Sequence, residues 1–474
     1  MKIVFIGSEA TPFAKSGGLA DVLGALPKAL AVLGHDIRVV LPKHNVVKAY
    51  YDEWLEDHGH TRVKIHDKRE YAGFQSMTRD GVTWYFVDNE YYFGYRENLY
   101  GDFDDGERYG FFNHAALALV DALCPDADVL HLNDWQTGLI PFILDETDMY
   151  PSLSNVPTLF TIHNIAYQGA FDKALFPYLN IPYDDALEYD NQINFLKTGI
   201  VKSDHLSTVS PSYAEELTYA YFGYGMEGLL QERSDRLKGI LNGIDYSVFN
   251  PEADPHIAEN YSTYNHVKGK NANKEALLNM FYLEPLDKPL ICVVSRLTEQ
   301  KGFNLLRVAL EFFLEREEFQ FIVLGSGDED IKGYFEYLRR KHPHLIGLYF
   351  GQSDKIARQI YAGADFLLMP SKYEPCGLAQ LIALRYGAVP IVRQTGGLRD
   401  TITPYNKYSG EGNGFGFLNF DGQDLRHAIR EALDTYQNTR AFRRLRRRGM
   451  KQDFSWSHSA KAYASLYEDM IGGR

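Results

Sequence analysis

Short apolar runs rich in β-branched residues alternate with longer helical patterns along this chain, and the alternation comes in two series. The first holds "KIVFIG", "DIRVVLP", "TWYFVD", "DVLHLN", "TLFTIH" and "HLSTVS"; the second holds "PLICVVSRL", "QFIVLGSG", "IGLYFGQ", "ADFLLMPS" and "AVPIVRQT". Such alternation predicts parallel strands joined by helical crossovers, with both faces of each sheet covered. Between the series, "ILNGIDYSVFNP" carries the Asn, Gly and Pro punctuation of a boundary. The fold class expected is α/β, with two Rossmann-like, doubly wound domains meeting near residues 243–247. A length of 474 residues suits two cores better than one. Ligands in such sheets bind off the carboxyl ends of the strands, so a cleft between the halves is the expected site.

The remaining segments are less regular. Residues 44–113, with "HNVVKAYYDEWLEDHGH" and "NEYYFGYRENLYGDFDDGERYG", read either as a flap over the cleft or as surface elaboration. "SWSHSAKAYASLYEDM" reads as an amphipathic helix capped by Ser455 or Ser457.

Charge and cysteine usage exclude several classes. Lys and Arg number 49 against 63 Asp and Glu, a formal charge of −14, so no nucleic acid is expected as partner, whereas a small anion in a local basic pocket is compatible. Cys124, Cys292 and Cys376 are scattered, which offers no disulfide framework and no CxxC metal pair. The opening residues lack the apolar core of a signal peptide, and no run of about 18 apolar residues occurs. A cytoplasmic protein with no membrane partner is the expectation.

"AKSGGLADV", residues 14–22, follows the first strand and opens a helix. Its loop is too long for GxGxxG, "DIRVVLP" closes on no acid, and no GKS or GKT follows, so neither a dinucleotide fingerprint nor a Walker loop is present. Lys15 beside Gly17 and Gly18 fits an anion at a helix start, or a plain glycine turn with a solvated lysine. "SRLTEQKG" sets Arg296 and Lys301 around one turn at a strand end, suited to a diphosphate or to solvated turn charges. In "SKYEPCGLAQLIALRYG", Glu374 stands before a helix opened by Gly377, either to accept from sugar hydroxyls or to complement the helix dipole. Cys376 lacks a resident base and reads as packed. Gly396 and Gly397 in "QTGGLRDTI" form a second glycine pair ahead of a helix, open to phosphate or sugar. Asp134 and His163 end the apolar strands "DVLHLN" and "TLFTIH" and need a structural partner or a ligand there. The acids of "GDFDDGERYG" follow no strand and read as a solvated loop, and "RAFRRLRRRGMK" as an exposed helix face. HExxH, HxxEH and a convincing GxSxG are absent.

Taken together, "KSGGLADV", "HLNDWQTGL", "TIHNIAYQG", "LNGID", "SRLTEQKG", "PSKYEPCGLAQL" and "TGGLRDT" resemble, in order and spacing, the bacterial glycogen synthases and plant starch synthases. The resemblance covers nearly the whole chain. It implies the two-Rossmann GT-B architecture, with domains 1–245 and 246–455 and a final helix 456–474 returned to the first. It also implies a retaining transfer of glucose from ADP-glucose to the non-reducing end of an α-1,4-glucan such as glycogen, releasing ADP, with no cofactor and no metal. By position the resemblance implies that Lys15, Arg296 and Lys301 face the diphosphate and that Glu374 and His163 face the transferred glucose. Gly17, Gly18, Asp21, Cys376, Gly377, Gly396 and Gly397 fall at donor-contact positions, and Asp134 orders the acceptor or holds its loop. Gln352 stands where some relatives carry an aromatic that stacks on the adenine, and Ala379 where some carry a hydroxyl. Ile382 stands where related retaining transferases have a second glutamate. A glucan phosphorylase, which would need lysine-bound pyridoxal phosphate, and a non-catalytic glucan binder are the competing classes.

Overall fold

The computed structural model describes residues 1–473, which divide into two compact units: Met1–Asn242 with the C-terminal helix Trp456–Gly472, and Gly243–Ser455. The strands of the first unit are β1 (Lys2–Ile6), β2 (Asp36–Pro42), β3 (Glu56–Ile65), β4 (Lys68–Arg79), β5 (Val82–Asp88), β6 (Val129–Asn133), β7 (Thr158–Ile162), β8 (Ala170–Phe171), β9 (Glu188–Tyr189), β10 (Gln192–Asn194), β11 (His205–Thr208) and β12 (Leu237–Gly239). Nine of them form one sheet in the order β12-β11-β7-β6-β1-β2-β5-β4-β3, and β8, β10 and β9 form a small separate one. Pairing is parallel from β12 to β5 and antiparallel from β5 to β3.

Alternate residues of each central strand bury on opposite faces. Ile3 and Phe5 of β1 and Val39 and Leu41 of β2 pack with the helices Gly18–Val32 and Trp456–Gly472, while Val4 and Ile6 are fully buried on the other side. The C-terminal helix is fixed to the sheet by a polar link as well: His131, in the middle of β6, lies 2.7 Å from the Tyr467 hydroxyl and 2.6 Å from Thr161 Oγ1.

Residues 44–113 contain the antiparallel hairpin β3–β4, added to the edge of the sheet at β5, and the start of the helix Asp105–Leu123, whose Phe111, Phe112 and Ala115 are fully buried. The acidic segment in this region corrects the expectation of a solvated loop. Arg96 pairs with Asp104 at 2.6 Å, and Arg108, fully buried, pairs with Asp105 at 2.7 Å and Asp102 at 3.0 Å. The acids are there because Arg108 enters low dielectric and needs partners, with the half-buried Arg96 paired beside it.

The second unit contains β13 (Leu290–Val294), β14 (Gln320–Gly325), β15 (Ile346–Phe350), β16 (Phe366–Met369), β17 (Val389–Arg393) and β18 (Phe415–Phe417). They form an all-parallel sheet in the order β15-β14-β13-β16-β17-β18. Ile291 and Val293 bury on one face with the helices Phe303–Leu314 and Gly422–Gln437; Leu290 and Cys292 bury on the other with His266–Met280 and Ala379–Tyr386. Both faces are covered, which is why these strands read as continuous apolar runs. Every apolar run quoted above forms a strand. No helix among the described residues is long and apolar enough to cross a membrane.

Asp365, just before β16, ties this unit together. It accepts from Lys274 Nζ at 2.8 Å, Arg446 Nη2 at 2.7 Å and the Leu290 amide at 3.0 Å. Arg446 belongs to the basic run, which is thus only partly an exposed face: one of its guanidiniums is buried in the core. Burial alone pushes Asp365 up, and Lys274 and Arg446 more than reverse this, holding it down to about 2. Its stabilising share is therefore complete above the ordinary value of 3.8 and is lost as pH falls through about 2. We expect Asp365→Asn to destabilise the chain by about 3–5 kcal/mol, because two cations then face no anion; urea unfolding at pH 7 measures the loss.

Candidate active site

In a doubly wound sheet, the chain leaves neighbouring strands in opposite directions where the strand order reverses, and the opening lies at the carboxyl ends. The second unit reverses between β13 and β16. β13 ends into Ser295, Arg296 and the single turn Glu299–Lys301; β16 ends into Pro370, Ser371 and Glu374. Across this point Lys301 Nζ donates to both carboxylate oxygens of Glu374, at 2.9 and 2.7 Å, and Ser371 Oγ donates to one of them at 2.9 Å. Glu374 is 6 % exposed, so the ammonium and the hydroxyl replace most of the water it has lost.

The two loops are locked together by backbone. Gly302 has φ +74°, and a Cβ there would lie 2.0 Å from the Pro370 carbonyl oxygen. The Lys372 amide donates to Gln300 O at 2.8 Å, and Arg393 donates to Lys372 O and, at 3.1 Å, to Leu418 O. Arg296 is exposed directly beyond β13, its carbonyl accepting from Thr298 N and Ser295 Oγ at 3.1 Å each. Cys376 is buried, as its packed reading requires. Gly377 lies at φ +72° and outside the helix, which begins at Ala379, two residues later than expected. Gly396 and Gly397 are the first residues of the helix Gly396–Thr401, and a Cβ on either would strike backbone: Glu374 O at 2.1 Å and Cys376 O at 2.2 Å. This glycine pair lets the helix start press directly on the Glu374 loop.

The first unit reverses between β1 and β6. Beyond β1, Glu9 is 3 % exposed and its carboxylate accepts from the amides of Ser16 and Gly17, clamping the loop that holds Lys15. Burial pushes Glu9 up, and those amides only partly offset it. Lys15 is exposed and its ammonium contacts Asp21 Oδ1 at 2.8 Å. Gly17 supplies no side-chain cap to the helix Gly18–Val32. A Cβ on Gly18 would meet nothing within 4 Å, and one on Gly17 only Glu9 at 3.8 Å, so the fold itself does not demand either glycine.

Beyond β6, Asp134 is held at φ +58°, a conformation costly for any side chain but glycine. Its carboxylate accepts from the His163 amide at 2.7 Å and from Asn164, fixing the exit of β7. Burial raises Asp134 to about 7, with Glu9 adding to the rise and the amides opposing it. His163 is driven down to about 3 by burial and is neutral. Its Nε2 lies 3.0 Å from Asn133 Oδ1, an amide whose nitrogen already donates to Ile6 O and His131 O. Nε2 therefore carries the proton, and Nδ1 is a buried acceptor without a hydrogen-bond partner among the described residues.

The structure thus joins Lys301 with Glu374, Lys15 with Asp21 and Asp134 with His163. Glu9, Asn133 and Ser371 escaped the sequence reading. Each lies within three residues of a strand's carboxyl end, as Asp134 and His163 do, and that position was the available signal. Among the described residues no three His, Cys, Asp or Glu side chains gather as a metal site.

Two Rossmann-like units in one chain are the architecture of the GT-B class of glycosyltransferases, and comparison with known proteins places the chain in that class. The starch synthase catalytic domain family matches residues 2–232, and glycosyl transferases group 1 matches residues 280–449. The glycogen synthase of Bacillus cereus is 42 % identical, covering 99 % of this chain and 100 % of its own length; that of Geobacillus thermodenitrificans is 44 % identical, covering 99 % and 98 %. The catalytic domain of starch synthase IV from Arabidopsis thaliana, solved bound to ADP and acarbose, superposes with a TM-score of 0.91 at 31 % identity over 99 % of each chain. A sucrose-phosphate synthase from Thermosynechococcus elongatus shares the fold, with a TM-score of 0.65 at 18 % identity over the full length of both. The chain belongs to the glycogen and starch synthase family.

Because the folded chain holds a proton on Asp134 up to about pH 7 and the unfolded chain releases it near 3.8, this residue makes stability fall as pH rises between those values. In Asp134→Asn that fall should be shallower than in the parent, as read from melting temperatures between pH 4 and pH 7.5.

Proposed function

We propose that this chain is a glycogen synthase that transfers glucose from ADP-glucose to the non-reducing end of an α-1,4-glucan with retention of anomeric configuration. The observation that carries the reading is the Lys301–Glu374 pair at the β13/β16 switch point, where a cation suited to a phosphate touches a carboxylate suited to sugar hydroxyls. The ADP in the Arabidopsis relative supports the choice of adenine nucleotide.

Breaking the bond from glucose C1 to the phosphate oxygen builds positive charge on the sugar and negative charge on the diphosphate. A site accelerates this step when its cations are placed before the charge develops. Lys301, Arg296 and Lys15 take that role, and the open side of Gly17 and Gly18 leaves the start of their helix approachable by phosphate. The neutral His163 accepts a sugar hydroxyl at Nδ1, the one polar atom of its ring with no partner. Glu374 accepts further sugar hydroxyls, while Asp134 holds the loop that presents His163. Asp21 holds Lys15, and Cys376, Gly377, Gly396 and Gly397 shape the loop that carries Glu374 toward the donor. For retention, the acceptor hydroxyl approaches C1 from the leaving-group face. Its oxygen bonds to C1 as the C1–phosphate bond breaks, and its proton passes to the departing phosphate oxygen, giving ADP and a chain one glucose longer.

With glycogen and ADP-glucose in EDTA, we expect glucose incorporation matched by ADP release. Lys15→Ala and Lys301→Ala should each lower kcat by about 10²–10³-fold in chains that still fold, Lys301→Ala with some loss of stability because Glu374 loses its cation, since each removes a preplaced charge from the leaving group. Full activity in both would refute the diphosphate assignment, and a trapped glucosyl ester on Glu374 or Asp134 would overturn the front-face route.

A further inference from the structure

At the opposite end of the second unit's sheet from Glu374, the segment 403–414 leads from the helix Gly396–Thr401 into the amino end of β18. It borders an open depression of about 570 Å³ lined by Tyr405, Asn406, Tyr408, Glu431, Asp434 and Asn438 among others. None of these residues belongs to the site described above. We propose that this depression is a second α-glucan site, which holds a stretch of the polymer away from the reacting end.

Three observations favour a neutral sugar chain. First, Tyr408 is 88 % exposed at the border of the depression, and Tyr405 stands beside it with its ring centroid 6.0 Å from that of Phe415, so two rings line one open surface. Flat rings of this kind pack on the apolar faces of sugars while leaving the sugar hydroxyls to polar neighbours. Second, the loop presenting Tyr408 is built rather than loose. Asn406 Oδ1 accepts from the amides of Tyr408 and Ser409 at 2.9 and 3.1 Å, the Gly410 amide donates to Asn406 O at 2.7 Å, and Arg448 donates to Gly410 O and Gly412 O at 2.6 and 2.9 Å. A ring fixed before the ligand arrives loses less freedom on binding. Third, the polar lining accepts hydroxyls without favouring a charged ligand. Asp434 is answered on its own helix by Arg430 at 3.9 Å, Glu431 lies 3.6 Å from the His427 ring, and Lys407 lies over the Tyr408 ring at 5.2 Å. Two carboxylates repel a phosphate or a nucleic acid, while Arg430 and Lys407 weaken the pull on a basic peptide.

This site rests on the proposed polymer acceptor, and its value follows from polymer length. A chain held at a second point raises the local concentration of its ends without any change at the reacting site.

Native electrophoresis through gels with and without glycogen, with no nucleotide sugar present, tests the site apart from turnover. The parent should be retarded by glycogen, and Tyr408→Ala should be retarded less, with an apparent Kd raised about 3- to 10-fold, the loss of one stacked ring. The remaining retardation is that of the acceptor site. Tyr282→Ala, which removes an equally exposed ring outside the depression, should migrate as the parent does. Maltoheptaose should compete for the Tyr408-dependent part. Equal retardation of parent and Tyr408→Ala at every glycogen concentration would overturn the proposal, as would no retardation of the parent. So would a lysine-rich peptide whose saturable binding, measured by calorimetry, is lost in Tyr408→Ala while glycogen retardation is kept. A chain that shows Tyr408-dependent retardation yet incorporates no glucose would count against the transferase reading alone.

Discussion

Parallel strands can be joined only by crossovers, and this one constraint sets where chemistry can occur in each unit. A crossover must start at a carboxyl end and return to an amino end, so all the loops of one kind collect at one edge of the sheet. Where the strand order reverses, the crossovers on either side lead away from each other and leave a gap that neither helix layer fills. β13 and β16 border such a gap in the second unit, β1 and β6 in the first. The residues that end these four strands are therefore free of packing duties that occupy their neighbours two or three positions earlier. Ile291 and Leu368 can be nothing but apolar, whereas Lys301 and Glu374 face a space that tolerates charge.

Tolerance is not free of cost, and the structure shows how charge is kept there. Glu374 is answered by Lys301 and Ser371 together, while Asp134 is answered by backbone amides and Glu9 by amides and the Ser16 hydroxyl, with no cation among the described residues beside either, and burial raises both. The second unit's carboxylate is thus held beside a side-chain cation, and the first unit's two carboxylates are held closer to neutrality. The strained backbone at Asp134 belongs to the same picture, since a turn that aims a carboxylate at the amides of His163 and Asn164 gives up a relaxed φ to do so.

Much of this was legible in the sequence because the relevant signals are short-range. A buried parallel strand must be apolar on both faces, so "FIVLG" and "DFLLMP" announce themselves, and the polar residue that follows marks the carboxyl edge. What stayed hidden depends on partners distant in sequence. β3, "EDHGHTRVKI", is an edge strand with only Val63 and Ile65 buried, so its alternation is nearly all polar and gives no run to recognise. The "DFDD" acids read as solvated because Arg108, three positions after Asp105 and six after Asp102, looks like any surface arginine until it is seen at the centre of a buried network. Glu9 was overlooked for the converse reason: it stands in an apolar opening segment, and only the folded loop shows its carboxylate turned back onto Ser16 and Gly17.

The two glycine pairs make the same distinction more sharply. Both "SGGL" and "TGGL" follow a strand and begin a helix, and by spacing alone they invite one explanation, close approach to an anion. In the second, a methyl group would collide with the carbonyls of Glu374 and Cys376, so the protein's own packing accounts for both glycines and no ligand is needed to explain them. In the first, no such collision exists. Gly18 faces open space, and its φ lies outside the positive-φ set, so neither sterics nor backbone conformation within the chain explains why a side chain is missing there. A residue that the fold leaves unexplained is where a partner from outside has most claim, and Lys15, three positions earlier and turned toward Asp21, carries the sign that the proposed diphosphate would meet there.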